Sequence, residues 1–242
     1  MEPIETHHRI VSRRLNNERS VWVRESLGKD GTSRLVVFLD AELYRERIGA
    51  HSIIQDLQAR GEIADSLVVF VSYASLEARS QECPCHPPFA AFVAEELLPW
   101  IGDRFPGAKN ASERILAGLS YTGLAASYVA TIHPHAFTKV ISQSGSYWWN
   151  ACRLVEQVRQ SEEPIPAAFY LDVGSRETEV DVRHGPDLVQ EVSQIDGVRR
   201  FRDALAAKGV GVKYVEFDGT HDFEAWKRAL PDALRWALSK EI

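Results

Sequence analysis

The sequence predicts an α/β protein whose central sheet is mostly parallel, with an antiparallel hairpin at its N-terminal edge and helices on both faces. Three observations lead to this fold class. Short apolar runs alternate with helical patterns, the runs are continuously apolar as in strands covered on both faces, and no repeat or long linker interrupts the 242 residues. We therefore expect one domain that spans residues 1–242.

The predicted elements alternate between strand and helix, which is typical of parallel strands joined by crossover helices. A polar stretch separates His8–Leu15 from Val21–Glu25, the two strands of the hairpin. Ser72–Pro88 has neither period, and long loops at the carboxyl ends of parallel strands usually shape a site. Core strands are expected at Arg34–Leu39, Ser66–Val71, Arg114–Gly118, Lys139–Ser142, Ala167–Val173 and Val212–Phe217, and helices at Ile48–Arg60, Phe89–Ile101, Leu124–Ile132, Trp149–Gln160, Leu188–Lys208 and Phe223–Lys240.

Charge and hydropathy narrow the function classes. A formal net charge of −6 argues against general nucleic-acid binding, because phosphate contacts need a positive surface. The N-terminus lacks the apolar core of a secretion signal, and no stretch reaches the ~18 consecutive apolar residues of a membrane helix. The sequence therefore favours a soluble protein that binds neither nucleic acid nor membranes. It does not indicate an oligomeric state.

The cysteine content fits a reducing compartment, so we expect a cytoplasmic protein. The cysteines are odd in number, and a proline separates the closest pair, Cys83 and Cys85, which disfavours a disulfide between them. His86 follows this pair, but no second cluster of cysteine and histidine completes a structural zinc site. We therefore expect no metal and no cofactor.

The segment Arg114–Ala126 (RILAGLSYTGLAA) carries the clearest chemical signal, because a short apolar strand turns there into a helix with a serine at the turn. Such a nucleophile elbow exposes the serine hydroxyl and needs small residues two positions away on either side. Gly118 meets this need before Ser120. On the other side Thr122 stands where the second glycine is usual, and Gly123 follows one position later. The alternative is that Ser120 only caps the helix after a buried strand.

A serine hydroxyl needs a base to become a nucleophile, and His221 is the best candidate for that base. It follows Val212–Phe217 through a short turn, so we expect it at the same sheet edge as Ser120. A structural hydrogen-bonding role is the alternative for this histidine. His86 and His184, both in loops, remain weaker candidates.

The base needs an orienting carboxylate, which in an α/β-hydrolase fold follows the penultimate core strand, between serine and histidine. Here the loop after Ala167–Val173 contains Glu177, Glu179 and Asp181. Glu177 is closest to the strand end and is our first choice. The other two are alternatives, either as the acid or as solvated loop charges. Asp172 lies within the strand and is expected to point into the body of the fold.

The order serine, acid, histidine fits the α/β-hydrolase fold, and the same fold rule locates the oxyanion hole. An ester carbonyl becomes an oxyanion in the tetrahedral intermediate and needs backbone N–H donors. One donor is expected from Tyr121, the residue after the nucleophile. The other is expected from the loop after Arg34–Leu39, near Ala41 and Glu42.

With these parts in place, the chain resembles the enterochelin esterase family of α/β-hydrolases, also called the ferric siderophore esterase or esterase D-like group. The resemblance covers most of the chain. Its markers are LVVFLDAELY (35–44), ARSQECPC (78–85) with FAAFVAEELLPW (89–100), AGLSYTGLAA (117–126), ISQSGSYWW (141–149), VGSRE (173–177) and GTHDFEAWKRAL (219–230).

The resemblance implies roles for particular residues. The implied nucleophile, base and acid are Ser120, His221 and Glu177. The resemblance also implies a substrate-binding region that is formed by Arg79, Tyr147, Trp148 and Trp149.

The residue types alone are also compatible with structural roles in this region. Aromatic side chains bury large areas, so core packing accounts equally well for Trp148 and Trp149. Arg79 lies in an acid-rich loop, where it either pairs with Glu77 or Glu82 or binds an anionic substrate through charge-assisted hydrogen bonds.

These features together predict a serine esterase that hydrolyses a small carboxylic ester, with a siderophore lactone as the leading substrate. A small acyl or aryl ester and acyl transfer to an alcohol are alternatives within the same chemistry, since water and a hydroxyl attack the same acyl-enzyme. A function of another class, a catalytically silent hydrolase fold that only binds a ligand, is suggested by the departure at Thr122.

Overall fold

An eight-stranded, mostly parallel sheet runs through the centre of the molecule. The computed structural model describes residues 5–25, 34–186 and 188–239. The strands of this sheet are β1 (Glu5–Ser12), β2 (Asn17–Arg24), β3 (Arg34–Leu39), β4 (Leu67–Val71), β5 (Glu113–Leu119), β6 (Lys139–Gln143), β7 (Ala168–Gly174) and β10 (Val212–Phe217). Their spatial order is β1-β2-β4-β3-β5-β6-β7-β10, with β1 and β2 antiparallel and the others parallel.

Helices cover both faces of the sheet, which confirms the predicted α/β-hydrolase fold. One face is covered by the first and last helices together with a π-helical turn at Leu43–Ile48, and the other face is covered by most of the remaining helices. The helices are α1 (Ala50–Ala59), α2 (Leu76–Glu82), α3 (Pro87–Ala91), α4 (Leu98–Arg104), α5 (Pro106–Lys109), α6 (Tyr121–Ile132), α7 (Trp149–Gln160), α8 (Gln194–Ala207) and α9 (Phe223–Ala237), and a π-helical segment, Phe92–Leu97, joins α3 to α4.

The alternation of side chains along β3 shows why its sequence is continuously apolar. Leu35, Val37 and Leu39 point into the core on one face of the sheet. Val36 and Phe38 point into the core on the other face. Successive side chains of a strand point to opposite faces, so a strand that is covered on both sides has no position for a polar residue.

The N-terminal hairpin lies at the edge of the sheet, as predicted. Its strands begin earlier than the sequence pattern indicated, at Glu5 and Asn17, and β2 continues into the sheet by pairing with β4. The turn at residues 13–16 ends in the left-handed residue Asn16, with φ 50°. Asparagine tolerates that conformation better than most residues, because its short polar side chain bonds locally to the backbone.

Two expectations about local structure were wrong. The segment Ser72–Pro88 is not without structure, because α2 forms inside it and the Ser75 hydroxyl caps that helix by accepting from the Ala78 N–H. The predicted helix from Leu188 begins only at Gln194, and the preceding residues form strand β9 (Leu188–Gln190). This strand pairs with β8 (Val182–Gly185) in a separate hairpin. Short apolar stretches do not distinguish strand from helix by periodicity alone.

The carboxyl ends of the parallel strands meet at one edge of the sheet, which is where ligands bind in open α/β folds. Ser120 follows β5, Glu177 follows β7 and His221 follows β10, so three predicted site residues reach this edge. The loop that begins at Asp40 reaches it from β3. Among the described residues, no helix is both long and apolar enough to cross a membrane.

Candidate active site

Ser120 lies at a sharp turn between β5 and α6 and has a strained backbone, with φ 52° and ψ −119°. Such conformations cost about 1–3 kcal/mol and persist only where neighbouring structure holds them. The Ser120 N–H donates to the carbonyl of Gln143 (2.9 Å), and its carbonyl accepts from the Ser146 N–H (3.1 Å). A Cβ at Gly118 would lie 2.1 Å from the carbonyl oxygen of Thr122, so only glycine fits there. The turn is therefore a nucleophile elbow in its geometry.

The elbow accommodates Thr122 because the close approach of backbones occurs one residue later. A Cβ at Gly123 would lie 2.8 Å from the Oγ of Ser142 and 3.1 Å from the Cα of Gly145. Thr122 itself is buried, and its hydroxyl accepts from the Leu119 N–H at 3.0 Å. The threonine is thus compatible with a tightly packed turn.

Thr122 also connects the elbow to the loop after β3. Its hydroxyl lies 2.9 Å from Oδ2 of Asp40, a buried residue with φ 62°. Arg79 donates to both oxygens of the same carboxylate, from Nε at 2.8 and 2.9 Å and from Nη2 at 2.6 Å. The partner of Arg79 is therefore Asp40, and not Glu77 or Glu82 as considered from the sequence. A buried pair of this kind is costly to break, because the remaining charge has no partner.

A chain of hydrogen bonds joins three residues at the sheet edge. Nε2 of His221 lies 3.0 Å from Oγ of Ser120, and Nδ1 of His221 lies 2.6 Å from Oε2 of Glu177. Because a carboxylate only accepts, the neutral imidazole carries its proton on Nδ1 and presents the Nε2 lone pair to the serine. The arrangement is able to remove a proton from the hydroxyl and to stabilise the resulting imidazolium.

Glu177 is held in place by donors on its second oxygen. Its side chain is fully buried, and Oε1 accepts from the N–H of Gly174 at 2.7 Å and from the hydroxyl of Ser144 at 2.6 Å. The Ser144 hydroxyl in turn accepts from Nε1 of Trp226 at 2.9 Å. The indole of Trp226 also contacts the His221 ring edge to face, with centroids 4.7 Å apart. Both members of the acid–histidine pair are therefore oriented by the same buried neighbours.

The alternative acids lie next to the β8–β9 hairpin. Glu179 and Asp181 are both exposed, and they anchor the β8–β9 hairpin through their backbones. The Asp181 N–H donates to the carbonyl of Gln190 at 2.7 Å, and the carbonyl of Glu179 accepts from the Gln190 side chain at 3.4 Å. The structure thus brings Glu177, among the three candidates, into contact with His221.

Asp172 points into the body of the fold, as expected from its place in β7. It is fully buried, and Oδ2 accepts from the Gln143 amide at 3.3 Å while Oδ1 has no hydrogen-bond partner among the described residues. Burial raises the pKa of this carboxyl to about 8, because desolvation disfavours the charged form. Asp172 is therefore a buried acid that the hydrogen-bond chain from Ser120 does not use.

The backbone amides proposed for the oxyanion hole lie at the starts of two helical turns, where N–H groups have no intrahelical partner. Tyr121 is the first residue of α6. On the other side, the Asp40 carbonyl accepts from the N–H groups of Leu43 and Tyr44, which leaves Ala41 and Glu42 at the start of that turn. The N–H groups of Ala41 and Glu42 are therefore both candidates for the second donor.

A pocket of about 440 Å³ opens beside Ser120 and His221. Two arginines lie on its wall, and each is ion-paired, Arg79 with Asp40 and Arg176 with Asp218. The β8–β9 hairpin supplies a further wall. The other lining residues are Tyr121, Ser146, Trp148, Glu177, Glu179, Val182, His184, Gln190, Gln194 and Thr220.

The three aromatic residues implied by the resemblance divide between the pocket and the core. Trp148 lines the pocket, whereas Tyr147 and Trp149 do not. The Tyr147 hydroxyl bonds to Ser142 at 2.7 Å, and its ring stacks on Phe201 with centroids 4.1 Å apart. Trp149 packs, partly buried, against the same hydrophobic core.

Asp40, Ser144 and His184 are site residues that the sequence pattern did not predict in their observed roles. A signal existed for two of them, since Asp40 directly follows the predicted strand Arg34–Leu39 and Ser144 lies two residues after the predicted strand Lys139–Ser142. Both residues adopt positive φ, at 62° and 45°, which a sequence does not show. The sequence suggests His184 only as a weaker candidate for the base, because its position depends on a hairpin that the pattern does not reveal.

Comparison with known proteins places these observations in a family. Residues 12–237 match the model of the Esterase family. The chain belongs to the Esterase family. This chain is 33% identical over 92% of its length to the iron(III) enterobactin esterase of Escherichia coli O6:H1, and 27% identical over 94% to that of Dickeya dadantii. The matches cover 54% and 53% of those proteins, so the chain spans about half the length of the curated relatives it matches.

A solved structure supports the same assignment. The crystal structure of the enterobactin esterase from Shigella flexneri in the presence of enterobactin matches this chain with a TM-score of 0.82 and 26% identity, over 97% of this chain and 58% of that one. The resemblance to the enterochelin esterase family is therefore confirmed.

Proposed function

We propose that this esterase is a serine carboxylic-ester hydrolase in which Ser120 is the nucleophile, His221 the base and Glu177 the orienting acid. The observation that carries the proposal is the continuous hydrogen-bond chain from the serine hydroxyl to the buried carboxylate, with lengths of 3.0 and 2.6 Å. The proposal is supported by the pocket beside Ser120 and His221, which is large enough for an acyl group.

In the acylation step, Oγ of Ser120 forms a bond to the acyl carbon of the ester while its proton moves to Nε2 of His221. Glu177 stabilises the imidazolium through the bond to Nδ1. When the tetrahedral intermediate collapses, His221 gives the proton to the oxygen of the leaving alcohol, and the acyl group stays on the serine. Water then attacks the acyl-enzyme by the same route, with His221 again as base and then as acid, and the carboxylic acid leaves.

The oxyanion of each tetrahedral intermediate would be stabilised by the N–H groups of Tyr121 and of either Ala41 or Glu42. Preorganised donors of this kind contribute about 3–4 kcal/mol each to transition-state stabilisation. The pair formed by Arg79 and Asp40 supports this arrangement, because it fixes the residue immediately before Ala41. Thr122 supports it from the elbow, since its hydroxyl reaches the same carboxylate.

For the substrate, we propose a siderophore lactone of the enterobactin type. The relatives named above are iron(III) enterobactin esterases, and the pocket carries the exposed guanidinium of Arg176, which is able to donate to an anionic ligand. The second candidate is a smaller acyl or aryl ester, which the 440 Å³ volume of the pocket favours.

We further propose a single domain in the cytoplasm. The domain proposal is supported by the main sheet, which contains strands from both ends of the described chain, β1 and β10. The location is supported by three free thiols, Cys83, Cys85 and Cys152, as is usual in reducing compartments.

A hydrolysis screen with an active-site probe tests the proposed function. The purified protein is incubated with enterobactin, its ferric complex and p-nitrophenyl butyrate, and a fluorophosphonate is used to label the nucleophile. We expect turnover of at least one ester and labelling at Ser120, both abolished in Ser120→Ala. Absence of turnover together with absence of labelling would show that the fold is catalytically silent.

A further inference from the structure

The β8–β9 hairpin forms one wall of the pocket but takes no part in the hydrogen-bond chain from Ser120. It stands apart from the main sheet, and its strands pair antiparallel, with Val182 opposite Gln190. Val182, His184 and Gln190 all line the pocket. The hairpin therefore brings a second imidazole into the pocket, besides that of His221.

The His184 ring stacks on the indole of Trp148, with ring centroids 4.6 Å apart and planes inclined by 18°. Trp148 is buried, with 3% of its surface exposed, whereas His184 remains exposed although one of its ring faces is covered. Trp148 is the ring partner of His184 among the described residues, so the second ring face has no aromatic neighbour there. A planar ring that enters the pocket is able to extend the stack on that face.

Gln190 fixes the orientation of this imidazole. The Gln190 amide nitrogen donates to the carbonyl of Glu179 at 3.4 Å, which turns its Oε1 towards Nε2 of His184 at 2.9 Å. Nε2 therefore carries the proton of the neutral ring, and Nδ1 is an acceptor. A ring whose plane is already set loses little conformational freedom when a ligand stacks on it.

Trp148 is also held in place and connects the wall to the rest of the pocket. Its Nε1 donates to Oε1 of Gln194 at 2.6 Å. The ring of Tyr121 lies 6.1 Å from that of Trp148, and the guanidinium of Arg79 lies 5.9 Å from the centre of the Tyr121 ring. The pocket thus has a continuous aromatic lining from His184 to Tyr121, with the ion pair of Arg79 and Asp40 at the far end.

We propose that His184 is a specificity-determining residue that binds a planar aromatic group of the ester substrate on its second face, with Trp148 behind it. The inference rests on the proposed function and assigns a residue of the β8–β9 hairpin to the recognition of a ring in the substrate. Planarity is the recognised property, because a saturated ring of the same size has no π face and does not approach to stacking distance.

The test compares two inhibitors of which only one carries a planar ring, and the comparison is repeated in variants of His184. N-benzoylglycine and N-(cyclohexylcarbonyl)glycine carry the same amide and carboxylate, but only the first has a flat ring. Each is measured as a competitive inhibitor of the hydrolysis of vinyl butyrate, a substrate without a ring. We expect the wild-type protein to bind the benzoyl compound more tightly than the cyclohexyl compound.

Substitution of His184 separates stacking from other effects. In His184→Ala the ratio of the two inhibition constants is expected to fall roughly 2- to 12-fold towards unity, the range expected for a ring pair. His184→Phe keeps a ring without the nitrogens and is expected to retain the wild-type ratio. The ratio within one variant cancels any general change in pocket shape. Arg183→Ala, at the neighbouring exposed position that is not part of the pocket, serves as the matched control and keeps both constants.

Three results would overturn the proposal: equal inhibition of the wild type by both compounds, an unchanged ratio in His184→Ala, or a ratio lost equally in His184→Phe and His184→Ala. Failure of the proposed function is distinguishable from these, since the wild type would then leave vinyl butyrate intact. In that case calorimetric titration of both compounds into the same variants gives the ratio of dissociation constants and still decides the role of His184.

Discussion

Ser144 is expected to determine the orientation of Glu177, and Ser144→Ala tests this. The substitution removes a hydroxyl that donates to Oε1 of Glu177 at 2.6 Å and accepts from Nε1 of Trp226 at 2.9 Å. The carboxylate keeps the N–H of Gly174 at 2.7 Å and the imidazole of His221. Ser144 has a positive φ of 45°, and this backbone conformation is as strained for alanine as for serine. The effect therefore comes from the lost hydrogen bonds.

Two magnitudes follow from this geometry. The buried indole N–H of Trp226 loses its acceptor, which costs about 1–3 kcal/mol of unfolding free energy. The Glu177 carboxylate loses one of its two donors on Oε1 and holds the imidazolium of His221 less well. If this raises the activation free energy by about 1.4 kcal/mol, kcat falls about 10-fold. KM should change little, because Ser144 does not line the pocket.

The assay combines steady-state hydrolysis of p-nitrophenyl butyrate with unfolding in urea. Ser66→Ala is the matched control, because the Ser66 hydroxyl is also buried but has no hydrogen-bond partner among the described residues. That control should keep kcat and should not lower the unfolding free energy. If Ser144→Ala keeps the wild-type kcat while its unfolding free energy falls, Ser144 is only structural and the reasoning about Glu177 is refuted.

The other predictions concern three acids and the elbow. Glu177→Gln should lower kcat on p-nitrophenyl butyrate by about 10³-fold or more, since the amide favours the wrong imidazole tautomer, while Glu179→Gln should retain activity; the reverse result would show that the acid was misassigned. Thr122→Val should lower kcat about 10-fold by removing the hydroxyl at 2.9 Å from Asp40, and Thr122→Ser should restore it; equal rates in both variants would contradict a role for that hydrogen bond. Asp172→Asn should raise the unfolding free energy at neutral pH by about 1–3 kcal/mol. The folded-state pKa of Asp172, about 8, lies above its unfolded value, so in the wild type this carboxyl lowers the unfolding free energy progressively as pH rises from about 4 to 8. Urea unfolding at both pH values measures how much more stable the variant is than the wild type, and this difference should be larger at about pH 8. An equal difference at both pH values would show that the sign is wrong.

Most of the fold was predictable because strands that are buried on both faces of the sheet have continuously apolar sequences. The strand β3 was predicted with its observed ends, Arg34 and Leu39, since every residue between them faces a core. The hairpin β8–β9 was not predicted. Its strands contribute little to either core, so their sequence lacks a clear period, and their pairing depends on contacts such as the one between Val182 and Gln190.

The sequence by itself determined the candidate nucleophile, the candidate base and a short list of acids, because the strand-ending positions of Ser120 and His221 follow from local patterns. The sequence placed Glu177 first on that list only because it is closest to the strand end. The tertiary structure decided the point, since it depends on which carboxylate the chain folds against Nδ1 of the imidazole. The same is true of Thr122, whose place in the elbow depends on a contact with Asp40, 82 residues away. Local periodicity records burial, whereas hydrogen bonds between distant loops leave no period in the sequence.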